Sequence, residues 1–369
     1  MSAQMSIFDQ LERRSHEQVV FCHDEVTGLR AIVAIHDTTL GPALGGTRMW
    51  TYASDGDALT DALRLARGMT YKSAAAGLNL GGGKAVILGN AKTDKNEMLF
   101  RSYGRFVQGL GGRYITAEDV GTTVQDMEWV RMETDHVVGI SRALGGSGDP
   151  SPFTALGVYE GIKASLKWQT GNESLEGKTV AVQGAGAVGR HLIRHLAEGG
   201  AKIVVADIDA DNLARVTAAH DGIEVVDPKD IYAAACDVFA PCALGAVIND
   251  DTLPQLKCAI IAGSANNILA EDRHAQALVE RDIVYAPDYV VNAGGLINVA
   301  NELEGYNTDR ATQQVRGIYD ITTRIFQIAR DENITTLQAA NALAERRIEA
   351  IAKIRDRYVG VAERPRRRA

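Results

Sequence analysis

The chain has 369 residues, more than a single hydrophobic core usually organises, so two domains with a cleft between them are expected. With 46% hydrophobic and 23% charged residues and no apolar run near the ~18 residues of a membrane span, it reads as a globular, water-soluble chain rather than a membrane protein. A formal net charge of −8 opposes general attraction to nucleic acid, because phosphate binding is carried mainly by Lys and Arg. The segment Met1 to Arg14 lacks the basic-then-apolar order of a signal peptide, which points to the cytoplasm. Cys22, Cys236, Cys242 and Cys258 show no CxxC spacing, so reduced thiols are expected, with neither disulfides nor a metal site. Arg364, Arg366, Arg367 and Arg368 form a basic tail that reads as a solvated end.

In chain order, Glu17–Cys22 and Leu29–Ile35 alternate like strands around a turn at Asp24–Gly28 and predict a hairpin. From Asp57 to about Ala75, Leu59, Ala62, Leu63, Ala66 and Met69 recur at helical spacing. A glycine-rich turn (Gly77, Gly81, Gly82, Gly83) is expected next, then Lys84, an apolar strand at Ala85–Leu88, a helix near Lys95–Gly109 and a strand at Arg113–Thr116. Gly145–Pro152 crowds linker-type residues together and marks a hinge. A helix at Phe153–Trp168 then leads into strands at Thr179–Gln183, Lys202–Asp207, Val238–Ala240, Ala259–Gly263 and Ile283–Ala286 alternating with helices, the pattern of a doubly wound parallel sheet. Helices from about Val315 to Arg355 close the chain. The fold class is α/β, with a mixed substrate and oligomerisation domain at 1–148 and a Rossmann-type domain at 149–334. The helices from about 335 onward are expected to pack back on the first domain.

The strand Thr179–Gln183 runs into Gly184-Ala185-Gly186-Ala187-Val188-Gly189 and then a helix, the context that gives a GxGxxG its meaning. Gly184 permits the tight turn, Gly186 lets the backbone approach a pyrophosphate, and Gly189 lets helix and strand pack closely. The helix N-terminus favours the phosphate charge. Asp207 lies 23 residues after Gly184, where an acid accepts hydrogen bonds from the adenosine ribose and repels a 2′-phosphate, so NAD is expected over NADP. Later strand ends that would line the nicotinamide side are Pro241-Cys242-Ala243, Ser264-Ala265-Asn266-Asn267 and Asn292-Ala293-Gly294-Gly295. Cys242 has no histidine close in sequence and reads as a small packing residue beside the cofactor rather than a nucleophile.

Lys72 and Lys84 flank the glycine-rich segment and are placed to share a cleft. Leu78 and Ala85 stand where a Walker A loop needs Gly and Ser or Thr, so this is no phosphate loop. A second positive charge and partial burial would lower one lysine's pKa into a useful acid–base range. Thr116-Ala-Glu-Asp119 supplies carboxylates at a strand end.

Taken together, Pro42-Ala-Leu-Gly-Gly46, Gly68-Met-Thr-Tyr-Lys72, Gly81-Gly-Gly-Lys-Ala85, Ala117-Glu-Asp-Val-Gly121, the Gly184–Gly189 loop, Gly263-Ser-Ala-Asn-Asn267 and Asn292-Ala-Gly-Gly295 occur in the order of the glutamate, leucine, phenylalanine and valine dehydrogenase family, which the chain resembles to about Val361. The resemblance implies that Lys72 binds the substrate carboxylate, Lys84 activates the water that attacks an imino acid, and Asp119 exchanges protons with the amino group. Met69, Gly45, Gly46 and Asn267 would also lie at the substrate. Leu44, Ala117, Leu296 and Val299 would line a side-chain pocket fit for a branched aliphatic group. The implied reaction is oxidation of a branched-chain L-amino acid, leucine ahead of isoleucine and valine, to its 2-keto acid, ammonia and NADH, and its reverse. Implied with it is a homo-oligomer, an octamer joined through the first domain. Valine or phenylalanine specificity remains an alternative. Glutamate specificity is disfavoured by Leu44, which stands where glutamate-specific relatives carry a lysine, and a nucleotide-binding regulatory role by the Lys72, Lys84 and Asp119 set.

Overall fold

The computed structural model describes residues 6–355, and the basic tail lies outside them. A short helix α1 (Ile7–Glu12) precedes a five-stranded mixed sheet. Here β1 (Gln18–Asp24) and β2 (Leu29–Asp37) pair antiparallel as the expected hairpin, with Gln18 opposite Ile35. Then follow β3 (Ala43–Trp50), α2 (Asp55–Ala75), β4 (Gly81–Leu88), α3 (Glu97–Gly109), β5 (Tyr114–Glu118) and α4 (Val124–Arg131). The spatial order is β1-β2-β4-β3-β5, with β3 parallel to both its neighbours.

Gly81–Gly83, expected in a turn, are instead the first three residues of β4 and are buried. Close approach explains why a strand opens on three glycines. A Cβ on Gly82 would run into the backbone nitrogen of Thr70, so α2 rests directly on β4 there. A Cβ on Gly83 would lie 2.7 Å from the Tyr114 ring, whose hydroxyl donates to the Gly45 carbonyl at 2.6 Å. Strand β3 was not anticipated. Its Leu-Gly-Gly start lacks β-branched residues, and its place between two parallel partners comes from burial rather than propensity.

The second half opens on α5 (Ser151–Thr170) and continues β6 (Thr179–Gln183), α6 (Ala187–Glu198), β7 (Lys202–Ala206), α7 (Ala210–Ala219), β8 (Glu224–Val225), β9 (Val238–Pro241), β10 (Ile260–Ile261), α8 (Arg273–Val279) and β11 (Val284–Tyr285). The all-parallel order β8-β7-β6-β9-β10-β11 is that of a dinucleotide-binding sheet, with its switch point between β6 and β9. Val180, Val182, Val205, Val238 and Ile260 form its core with Leu192, Ile193 and Leu196 of α6 and Val158 and Ile162 of α5. The chain ends with α9 (Asp288–Val291), α10 (Gly294–Ala300), α11 (Thr308–Arg316), α12 (Ile318–Glu332) and α13 (Thr336–Arg355).

Two further contacts join the halves. Ala339, Ala340 and Ala344 of α13 pack with Ala74 and Ala75 of α2, where the Arg347 guanidinium donates to the carbonyls of Ala74, Gly77 and Leu78. Glu302, just after α10, accepts from the backbone N–H groups of Gly139, ahead of the segment expected to be the hinge, and of Ser147 within it. Among the described residues no helix is long and apolar enough to cross a membrane.

Candidate active site

Side-chain alternation along β4 puts Gly82, Lys84 and Val86 on the face that meets α2. Lys84 is thus buried at 5% exposure with its ammonium under the helix, and it pairs with Asp119 Oδ2 at 2.9 Å. Asp119 lies just past β5, continuing the alternation of Ile115 and Ala117, both part of one apolar cluster. Burial pushes its carboxyl upward, but Lys84 and Arg48 outweigh that and hold it below the ordinary aspartate value. Arg48, on β3, donates from Nε to the same Oδ2 at 3.1 Å.

Lys72 occupies the last turn of α2, and its Nζ donates to Asn292 Oδ1 at 2.6 Å across the cleft. Asn292 in turn donates to the Ser264 carbonyl and to Asn266 Oδ1 at 2.9 Å. One amide therefore couples the lysine to the strand-end loop of the second sheet. Burial drives the Lys72 ammonium down to about 8, with the Asp288 charge opposing and the Lys84 charge adding to the shift.

An apolar patch is drawn from both halves. Leu44, Ile115 and Ala117 from the first sheet cluster with Leu296 and Val299 of α10, together with Leu80 and Val138, while Met69 packs at the edge. Leu296, Val299 and Ala300 share one face of α10 by their i, i+3, i+4 spacing. Gly45 and Gly46 beside Leu44 have no room for side chains. A Cβ on Gly46 would lie 2.8 Å from the Asp119 Cβ, and one on Gly45 would strike the Gly83 carbonyl.

In the second half, each glycine of the loop has a distinct environment. Gly184 has φ +99°, and a Cβ there would lie 2.8 Å from that of Ala243. A Cβ on Gly189 would meet the Gly184 carbonyl, so α6 packs onto the strand end. Above Gly186 there is open space, and α6 begins there without a side-chain cap on its N–H groups. Those free donors, with Ala185, Ala187 and Val188 around them, fit a pyrophosphate. Asp207 stands just past β7, accepting from the Ala185 N–H at 2.7 Å and from Asp209 N–H at 2.8 Å, which ties the acid to the loop. The Cys242 thiol, at the end of β9, is pushed up by burial, which makes it a poor nucleophile. Asn267 is exposed at φ +52° and hydrogen-bonds to neither lysine.

Residues 16–136 match the family model described as Glu/Leu/Phe/Val dehydrogenase, dimerisation domain, and residues 145–355 match that of the Glutamate/Leucine/Phenylalanine/Valine dehydrogenases. The chain belongs to this family. Leucine dehydrogenase from Geobacillus stearothermophilus is 60% identical over 355 residues, 96% of each chain. Leucine dehydrogenase from Bacillus subtilis (strain 168) is 59% identical over 96% of this chain and 97% of its own. The crystal structure of L-tryptophan dehydrogenase from Nostoc punctiforme aligns with a TM-score of 0.84 at 47% identity, covering 94% of this chain and all of the other. Dehydrogenases of the Glu/Leu/Phe/Val family use nicotinamide cofactors.

Three features of this family member escaped the sequence. Arg48 touches Asp119 but looks in sequence like any charged residue at a strand end. Asp288 is buried, accepts from the Ile268 and Tyr289 N–H groups and faces Lys72, and its only local signal is its place after Pro287. Leu80 and Val138 complete the apolar patch from loops without periodicity.

Proposed function

We propose that this protein interconverts branched-chain L-amino acids and their 2-keto acids, taking up water and releasing ammonia in the oxidative direction, with NAD as the redox partner. The single observation that carries the reading is the joining of Lys72, Lys84 and Asp119 in one cleft with an apolar lining of Leu44, Ala117, Leu296 and Val299. When bound, the dinucleotide supplies the hydride acceptor, held by the Gly184–Gly189 loop and the N-terminus of α6, with Asp207 at the ribose and Cys242, Ala243, Asn266 and Asn292 toward the nicotinamide. NAD over NADP rests on Asp207, since a 2′-phosphate would meet a carboxylate.

Lys72 pairs with the substrate carboxylate, while Asn292 fixes the ammonium at 2.6 Å and keeps it on the side of the cofactor loop. Asp119, held as a carboxylate by its two cations, takes a proton from the substrate ammonium so that the nitrogen lone pair can push the Cα hydride out. Lys84, once its ammonium proton has passed to solvent, orients the water and as the free amine takes a proton from it while the oxygen adds to the imino carbon; Asp119 returns its proton to the nitrogen, ammonia leaves, and the carbinol O–H proton goes to solvent as the keto group forms. Gly45 and Gly46 let β3 pack tightly on β4 and on Asp119, which would bring that stretch beside the amino acid's main chain, with Asn267 and Met69 at the sides. The lining offers a branched side chain ~1.5–3 kcal/mol of burial and a glutamate carboxylate no partner.

The boundary belongs near 148/149, with closure about Gly145–Pro152 excluding water during transfer. The 57–60% identity to proteins named leucine dehydrogenase, against 47% for a phenylalanine dehydrogenase from Thermoactinomyces intermedius, supports the branched-chain choice. The first half, matching a dimerisation model, supports a homo-oligomer, for which we favour the octamer. Four free thiols suit the cytoplasm.

The test is reduction of NAD by the purified protein against a panel of L-amino acids. Leucine, isoleucine and valine should be oxidised well, phenylalanine poorly and glutamate hardly at all. A preference for glutamate or an aromatic substrate would contradict the pocket assignment.

A further inference from the structure

One oxygen of Asp119 receives two cations. Lys84 Nζ stands at 2.9 Å and Arg48 Nε at 3.1 Å from the same Oδ2. Arg48 does not end there. Its other arm, Nη1, holds Asp61 Oδ2 at 2.9 Å, and Asp61 also accepts from Tyr52 Oη at 2.8 Å and from Arg64 Nη2 at 3.0 Å. The guanidinium is thus fixed in its plane by a carboxylate on α2 while it reaches a carboxylate after β5. These three side chains are 17–23% exposed, sheltered enough for the geometry to persist.

The two cations at Asp119 are not equivalent. A lysine that activates water gives up or shares its proton during the cycle, whereas a guanidinium stays charged throughout. If Lys84 were the sole partner, the carboxylate would lose its counter-charge at the moment it must hold a defined protonation state. We infer that Arg48, anchored by Asp61, is a positioning residue that keeps Asp119 oriented and charged independently of the proton on Lys84. This rests on the assignment of Asp119 as the proton-exchanging group under the proposed function.

The groups that face Asp119 come from four elements and the segment after β3. Lys84 from β4 and Arg48 from β3 are in contact; Lys72 and Asp61 lie on α2, Glu118 and Tyr114 on β5, and Tyr52 follows β3. Glu118 is itself pushed up to about 6 by burial and by Asp149 and Asp119, so it adds negative charge only above that pH. Removing Arg48 leaves Asp119 with one cation fewer against the same burial, and its protonation moves to higher pH.

The experiment is the pH profile of kcat/KM for L-leucine in the native protein, Arg48→Gln, Arg48→Lys and Asp61→Asn, with NADH binding followed by fluorescence. Arg48→Gln should raise the acid limb by about one pH unit or more and lower kcat at least ~10-fold, with a smaller change in KM and unchanged NADH binding. Arg48→Lys keeps a charge but cannot hold both carboxylates, so it should recover part of the limb. Asp61→Asn should shift the limb in the same direction by less. An acid limb within about 0.2 units of native in Arg48→Gln overturns the inference, as does full activity in that variant. If Arg48→Gln does not fold, a native limb in both Arg48→Lys and Asp61→Asn overturns it equally. Failure of the underlying reading is separate: the native protein would then lack leucine oxidation, or Asp119→Asn would retain it.

Discussion

Lys72 shows how a single side chain's surroundings set its chemistry. Its ammonium is lowered to about 8 chiefly by burial, so between about pH 8 and its ordinary 10.5 the folded protein binds fewer protons than the unfolded chain. The cost of burying the charge is therefore full below about pH 8 and fades as pH rises toward 10.5. Under the proposed role, a substrate carboxylate adds a counter-charge to that of Asp288, which would make the lysine a binding group as well as a strained one. Binding of 4-methylpentanoate, a carboxylate that cannot react, should weaken as pH rises through about 8. Lys72→Ala should cost ~1.5–3 kcal/mol of that affinity, and Lys72→Arg should remove the pH break because arginine stays charged. Titration calorimetry across this range checks all three, and a flat pH dependence in the native protein would refute the role. The glycine triplet before Lys84 and the strand end before Asp119 singled those two out in the sequence, while the roles expected of Lys72, Lys84 and Asp119 came from the family resemblance. Arg48 was not singled out, since its partners Asp61 and Asp119 are 13 and 71 residues away and only the fold brings them together.

At the scale of elements, the opening of β4 is the feature on which the site depends. Three consecutive glycines weaken a strand in isolation. Here they let α2 and Tyr114 settle against the backbone, with Lys72 in the last turn of that helix. Gly82→Ala should force α2 away from β4, costing about 1–3 kcal/mol of stability and most of the activity. Thermal melting beside a rate assay measures this, and a variant with native stability and rate would show that the close approach is dispensable. The sequence signalled glycines but suggested a turn, because glycine's usual meaning is conformational freedom, and Gly81–Gly83 do not use positive φ. Gly184 does, and there the turn reading agrees with the fold. Helices with a clear apolar stripe, such as α3 and α6, were legible to within two residues, whereas the two-residue strand β8 left no periodic trace.

Over the whole molecule, the proposed side-chain pocket belongs to neither half. Leu44 and Ala117 come from the first sheet and Leu296 and Val299 from α10, so the lining is complete only with the halves together. Shrinking both ends, Leu44→Gly with Val299→Ala, should move preference from leucine toward phenylalanine, because the removed volume admits a ring. Steady-state kcat/KM on the two amino acids checks it, and loss of leucine activity with no gain on phenylalanine would mean these residues serve only the core. The most direct measurement of the central claim is NADH formation from L-leucine by the native protein beside Lys84→Ala, with NADH binding followed in both. The native protein should reduce NAD and Lys84→Ala should not, while both bind the dinucleotide, since the Gly184–Gly189 loop is untouched. Near-native turnover by Lys84→Ala, or no NADH from the native protein, would contradict it.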